Sequence, residues 1–212
     1  MKDENFIFDF WSEIKTEDEF IHAEDKVFFE KNNEHHFLLN HRPPGPFDGP
    51  LKTAKVVICY ANPSFEESDK NHSKEILDLL KGSSDLPSYW DNWYEPRFRS
   101  IGIPLDQLRN QLAVFNICPY PSQSMGHKEE KLASGLKSVW IAQKYLREVL
   151  IPKATRKELF LIVARKHQLW GVANGIESEN IKLNRNRFGS LDEEIGLQIR
   201  KWFELEVFKT NN

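Results

Sequence analysis

Cysteine is scarce in this chain: two in 212 residues, Cys59 and Cys118, far apart in sequence. That excludes a disulfide scaffold and a cysteine-cluster metal or iron–sulfur site. Long apolar runs are missing too; none approaches the roughly 20 residues of a membrane-spanning helix. The first residues, Met1-Lys-Asp-Glu-Asn5, lack the basic start and apolar core of a signal peptide, so the expected compartment is the cytoplasm. There is no excess of positive charge. A net charge of −3 and a pI near 6.2 argue against a dedicated sequence-independent DNA binder. Phosphate-cradling GxGxxG and GxxxxGK[ST] loops, a GxSxG nucleophile elbow and an HExxH zinc motif are all absent. His35 and His36 are adjacent and would point to opposite faces of a strand, so no metal site is expected from them. No internal repeat and no low-complexity tract occurs.

What is present suits one α/β domain: 40% hydrophobic and 29% charged residues in a chain long enough to bury a sizeable core. Three short apolar runs, 55–61, 112–117 and 159–164, read as strands buried on both faces of a sheet, with a short fourth at 181–183. Helical pieces are expected over 5–31, where Thr16-Glu-Asp-Glu19 forms a capping-box pattern and Phe20, Ala23, Val27 and Phe28 make a packing face. Further helices are expected at Ser73–Lys81, with Gly82 closing it, at Glu129–Leu150, ended by Pro152 and turning Trp140 inward, at 166–172 and at 191–208. His35–Arg42 reads as a short edge strand. Pro43–Pro50 breaks regular structure, as a linker or as the wall of a pocket. Residues 83–104 carry Tyr89, Trp90, Trp93, Tyr94 and Phe98 without clean periodicity, which fits either a core plug or a ligand contact. The alternation predicts a three-layer α/β/α fold with a mainly parallel central sheet, in a single domain over 1–212: an N-terminal helical extension at 1–42 and a core at 43–208.

Two strands end at polar, proline-marked turns: Tyr60-Ala-Asn-Pro-Ser-Phe65 and Asn116-Ile-Cys-Pro-Tyr-Pro-Ser122. Open α/β sheets bind ligands at the carboxyl ends of their strands. A third strand end, Asn184-Arg-Asn-Arg187, is expected to join them.

These segments resemble the motifs of the uracil-DNA glycosylase superfamily. Val56–Phe65 is similar to the strand and Asn-Pro loop of its mismatch-specific branch. Val114–Ser122 is similar to the strand ending in the asparagine that reads the base edge, and Asn184–Ser190 stands in the place of the last motif. Pro46–Pro50, Tyr89-Trp90 and Leu169-Trp170 are also similar to an uncharacterised bacterial branch of that superfamily. The resemblance spans about residues 43–205. It departs from the pattern in two places: Ser64 stands where glycine is usual, and the third segment has neither proline nor histidine.

The resemblance implies a uracil-DNA glycosylase-like fold and a DNA-repair hydrolase that breaks an N-glycosidic bond without a metal or other cofactor, on DNA, a nucleotide or a nucleobase. Asn62 would position the attacking water. Asn116 would read the base; Tyr60, Phe65 or Tyr120 would stack on it; Arg185 or Arg187 would hold a phosphate or the leaving anion. Pro63, Ser64, Ser122 and Asn184 complete the expected contacts. Each has a plainer role open to it: Asn62 as a turn residue, Asn116 as a strand cap, Tyr120 and Ser122 as turn formers, the arginines as a solvated pair. Two other functions stay open: a non-catalytic nucleotide or modified-base binding module, and a protein-interaction role through the 89–98 aromatic segment beside a vestigial pocket. No membrane partner is expected.

Overall fold

The computed structural model describes residues 4–64, 71–83, 87–172, 175–186 and 189–207. Five strands form one mixed sheet: β1 (Phe47–Asp48), β2 (Val56–Tyr60), β3 (Leu112–Asn116), β4 (Phe160–Val163) and β5 (Ile181–Leu183), in the order β1-β3-β2-β4-β5. β2, β3, β4 and β5 run parallel, and β1 lies antiparallel against the free edge of β3. The three apolar runs are thus neighbours, with β2 at the centre.

Side chains alternate across these strands. Val57, Cys59, Ala113, Phe115, Leu161 and Val163 face one apolar layer; Val56, Ile58, Tyr60, Val114, Phe160 and Ile162 face the other. The first layer holds α1 (Phe6–Trp11), α2 (Ala23–Lys31), α3 (Ser73–Leu80) and α7 (Lys137–Tyr145). The second holds α4 (Trp90–Phe98) and α9 (Glu193–Trp202), with the short helical turn α5 (Leu105–Leu108) beside them. This arrangement is compatible with a three-layer α/β/α fold. The N-terminal helices share the core of the first layer: Ile7, Trp11 and Phe29 are buried in the same cluster as Phe115 and Tyr145.

Local expectations failed where tertiary contacts outweighed pattern. Half of the Thr16–Glu19 box forms: Glu19 Oε1 accepts from the Thr16 N–H at 3.1 Å, while the Glu19 N–H donates to the Thr16 carbonyl at 3.2 Å and closes a turn. The helix begins at Ala23 instead, capped by His22, whose Nδ1 accepts from the Glu24 N–H at 3.2 Å. Ala23 and Val27 are therefore exposed, and the buried side of α2 is Asp25 and Phe29. His35–Arg42 makes one isolated bridge, Phe37 to Ser122, rather than a strand. Pro43–Pro50 is not only a breaker, since it contains β1.

The aromatic stretch folds as α4, with Pro96 in its last turn, and Trp90, Tyr94 and Phe98 bury at i, i+4, i+8 spacing. The expected long helix breaks after α6 (His127–Ala133), at Ser134–Gly135, where the Phe28 ring packs so closely on the glycine that a side chain there would lie 2.3 Å from it. It restarts as α7, widens through a π-turn at Leu146–Leu150 and continues past Pro152 as α8 (Ile151–Thr155). Trp140, displaced by that break, is 58% exposed. Residues 166–172 form successive turns rather than a helix.

Burial raises the thiols of Cys59 and Cys118 and the phenols of Tyr60, Tyr94 and Tyr120 above their ordinary values. An acid held protonated in the fold stabilises it below the unfolded-state value and loses that contribution as pH rises toward the folded one. The melting temperature is therefore expected to hold near pH 7 and fall steadily above about pH 9, where exposed thiols and phenols begin to ionise. A flat melting temperature from pH 7 to beyond the ordinary phenol range would contradict this burial pattern.

Candidate functional site

Tyr60 and Asn116 are register partners, so β2 and β3 end side by side. The chain carries on from Tyr60 for two residues to Asn62 and meets Pro63, which cannot extend a ladder. Asn62 and Asn116 thereby open into one cleft of about 370 Å³ at the carboxyl end of the central strands.

Asn62 is held tightly. Its Nδ2 donates to the Ser122 hydroxyl at 2.8 Å, the Pro63 carbonyl at 3.1 Å and the Tyr120 carbonyl at 3.3 Å. Two carbonyls can only accept, which fixes the amide's orientation. The side-chain carbonyl, Oδ1, is left as the group Asn62 offers the cleft. Asn116 repeats the arrangement. Its Nδ2 donates to the Gly45 carbonyl at 2.9 Å, and it too lines the cleft. That bond uses one of its two N–H groups, so a second N–H and the side-chain carbonyl remain to donate and accept.

The Pro43–Pro50 segment supplies one wall. Gly45 sits where a side chain would come within 3.1 Å of the Pro63 ring, so a larger residue at this corner would require the proline to shift by a few tenths of an ångström. Arg42 is buried, lines the cleft and donates from Nη2 to the Ser64 carbonyl at 3.3 Å. Asp48 accepts from the Tyr89 hydroxyl at 2.7 Å. The opposite wall is α4. Trp90 and Tyr94 lie stacked in the core, but Trp93, one position before Tyr94, faces the cleft. The Arg97 guanidinium lies 4.1 Å over the Trp93 ring and donates to the Trp93 carbonyl at 2.8 Å. The two readings of the aromatic segment are therefore split between residues of one helix.

Not every expected residue reaches this place. Tyr60 is buried beneath it and donates its hydroxyl to the Gly189 carbonyl, tying β2 to the loop before α9. Burial raises its phenol, and the Arg97 and Arg165 charges pull it the other way. Tyr120 does not stack in the cleft. Its fully buried ring turns into the first layer, where the hydroxyl donates to Asp25 at 2.7 Å and accepts from the His22 N–H at 3.3 Å. Ser122 orients Asn62. Asn184 is buried and closes its own loop, donating to the Ser190 carbonyl at 2.9 Å and accepting from the Asp192 N–H at 2.9 Å. Arg185 is 73% exposed and pairs with Glu177 at 3.7 Å, away from the cleft. Phe65 and Arg187 lie outside the described residues.

No family model, no curated protein and no solved structure matches this chain. The site stands on its own geometry.

Arg42 and Arg97 escaped the sequence reading as cleft residues, whereas Trp93 lay in the segment for which ligand contact stood open. Arg42 precedes a proline-rich stretch, and the 93/97 spacing becomes legible only once α4 is recognised as a helix. Among the described residues, no three His, Cys, Asp or Glu side chains gather to hold a metal ion, and no helix is long and apolar enough to cross a membrane.

Proposed function

We propose that this cleft binds a nucleobase and that the protein, a uracil-DNA glycosylase-like α/β/α domain, hydrolyses the N-glycosidic bond of that base. One observation carries the reading: the Asn62 amide is locked by three acceptors so that a lone carbonyl oxygen meets the cleft at the end of the central strand. An amide oxygen accepts a hydrogen bond from a water without taking its proton, which suits attack on a sugar that already carries cation-like charge. The base leaves with the bonding pair and picks up a proton from solvent. The water adds to the anomeric carbon and gives up its own proton. Asn116 accepts from an N–H on the base edge, and Trp93 offers a face for stacking. Arg42 and Arg97 offset negative charge on the departing base.

A second reading, a non-catalytic nucleotide-binding module, is favoured by the third loop. Asn184 and Arg185 are committed to intrachain partners rather than to the cleft.

One experiment addresses both. Oligonucleotides carrying uracil, hypoxanthine or modified cytosines are incubated with the protein and scored for abasic sites, while free bases are titrated against tryptophan fluorescence. Cleavage with quenching supports the glycosylase; quenching without cleavage supports the binding module. Trp93→Leu is expected to lose part of the quench, since stacking contributes about 1–3 kcal/mol per base. Absence of both cleavage and quenching would refute the nucleobase reading.

A further inference from the structure

A second cleft, of about 400 Å³, opens on the other side of Asn62. It shares Asn62, Ser64, Trp93 and Arg97 with the first, so the two form one bipartite cavity with Asn62 at the neck. The chambers differ in chemistry. The first is lined by Asn116, Asp48 and the buried Arg42, whose Nη2 is already given to the Ser64 carbonyl. The second is bordered by Arg165 and Lys166, which follow β4 directly, while Arg97 reaches it from α4.

The exit from β4 is built to deliver those cations. The Ala164 N–H donates to the Cys59 carbonyl at 2.8 Å, carrying β4 to the level of the cleft. Lys166 then turns the chain at φ +56°, in the left-handed region that disfavours a non-glycine residue. The Trp170 N–H holds the Lys166 carbonyl at 3.1 Å, and the Lys166 ammonium is paired with Glu130. Lys166 is thus partly neutralised by Glu130, whereas Arg165 forms no ion pair among the described residues. Its charge, with that of Arg97, is felt at Tyr60 below the neck.

We infer that the second chamber is a phosphate subsite, and that the ligand is a nucleoside monophosphate whose base fills the first chamber, whose sugar crosses the neck at Asn62 and whose single phosphate lies between Arg97 and Arg165. The inference rests on the nucleobase reading of the first chamber and extends it. Planar guanidinium groups match phosphate oxygens in paired hydrogen bonds. One phosphate is assigned rather than a strand because, among the described residues, the cations do not continue as a track. Arg185, at the next strand end, is engaged by Glu177 instead, and the chain as a whole is acidic.

The test is calorimetric or fluorescence titration of the full chain with the nucleosides of the common bases, their 5′-monophosphates, inorganic phosphate, and single-stranded oligonucleotides of the same bases. The expected result is a monophosphate bound at least about tenfold more tightly than its nucleoside, the size expected for charge-assisted hydrogen bonds. Its salt dependence should correspond to about one neutralised phosphate rather than several. Arg165→Gln is expected to shrink the monophosphate-to-nucleoside ratio toward one, and Arg165→Lys to restore part of it. Arg165 is exposed, so neither change should impair folding. Equal affinity for nucleoside and monophosphate would overturn the phosphate subsite while leaving the nucleobase reading intact. An oligonucleotide bound more tightly than the monophosphate, with a steeper salt dependence, would overturn the single-phosphate assignment. No binding of any nucleoside or nucleotide would overturn both readings.

Discussion

Asn62→Ala is expected to lower single-turnover cleavage of a competent substrate by about 100-fold or more, the loss seen when one preorganised polar group is removed from a reaction centre. The loss should appear in kcat rather than in ligand affinity, because the Oδ1 contact is to the attacking water and not to the base. The same substitution removes the donor shared by Ser122, Pro63 and Tyr120. A stability decrease of about 1–2 kcal/mol should accompany it, enough to register in a melting curve but not to unfold the protein. Sequence alone suggests that Asn62→Asp would preserve or raise activity, since a carboxylate both accepts a proton and stabilises a sugar cation. The structure reverses that expectation. A carboxylate oxygen in the place of Nδ2 would face the two backbone carbonyls with no proton to share. Asn62→Asp should therefore melt below Asn62→Ala, and any activity it retains should require protonation or rotation of the new side chain. Paired melting curves and single-turnover rates for wild type and both variants decide the matter. An Asn62→Ala protein that keeps wild-type cleavage while losing stability would reduce Asn62 to a turn residue.

Asp25→Ala is expected to give the largest loss of stability of any single polar substitution proposed here. Asp25 is fully buried between α2 and the first layer of the core. Its carboxylate accepts from the Tyr120 hydroxyl at 2.7 Å and from the Ser138 N–H, at the start of α7, at 3.1 Å. Alanine would leave two buried donors without an acceptor, at a cost of about 1–3 kcal/mol each. For a chain of this length a loss of about 3 kcal/mol lowers the melting temperature by about 6–12 °C. Asp25→Asn keeps one acceptor oxygen and should recover part of the loss. The effect should also reach the cleft. Tyr120 anchors the Pro119–Ser122 turn from below, and that turn supplies two of the three acceptors that orient Asn62. Lower ligand affinity alongside the lower melting temperature is therefore expected. A variant that melts like wild type would show that the Asp25–Tyr120 contact carries little of the fold's stability.

How much of this was legible beforehand varies by element, for physical reasons. β2, β3 and β4 could be read because strands buried on both faces must be apolar throughout, and each run is bounded by turn residues. Asn62 and Asn116 could be read as companions because each ends such a run, and parallel neighbours in register bring their carboxyl ends together. α9 could be read from its apolar stripe. β1 could not. Two residues among six prolines and glycines carry no pattern, and Phe47 and Asp48 become a strand only because the edge of β3 offers them backbone partners.

Directions of side chains were the least legible. Tyr120 looks like a stacking residue in the sequence, yet its hydroxyl is claimed by Asp25, 95 residues earlier in the chain. Trp140 falls on the inward stripe of a continuous helix, but the helix breaks at Ser134–Gly135, and the exposed indole donates its N–H to the Ser134 carbonyl at 2.7 Å. His22 rather than Thr16 caps the start of α2, and its ring stacks on Phe10 at 3.7 Å and is held in the core. What the sequence by itself determined was local and periodic: where apolar runs lie, where they stop, and which polar residues stand at their ends. What only the tertiary structure decided was the partner each of those polar groups meets. Hydrogen bonds and ring contacts between distant segments depend on where folding brings them, and no spacing within a segment records that.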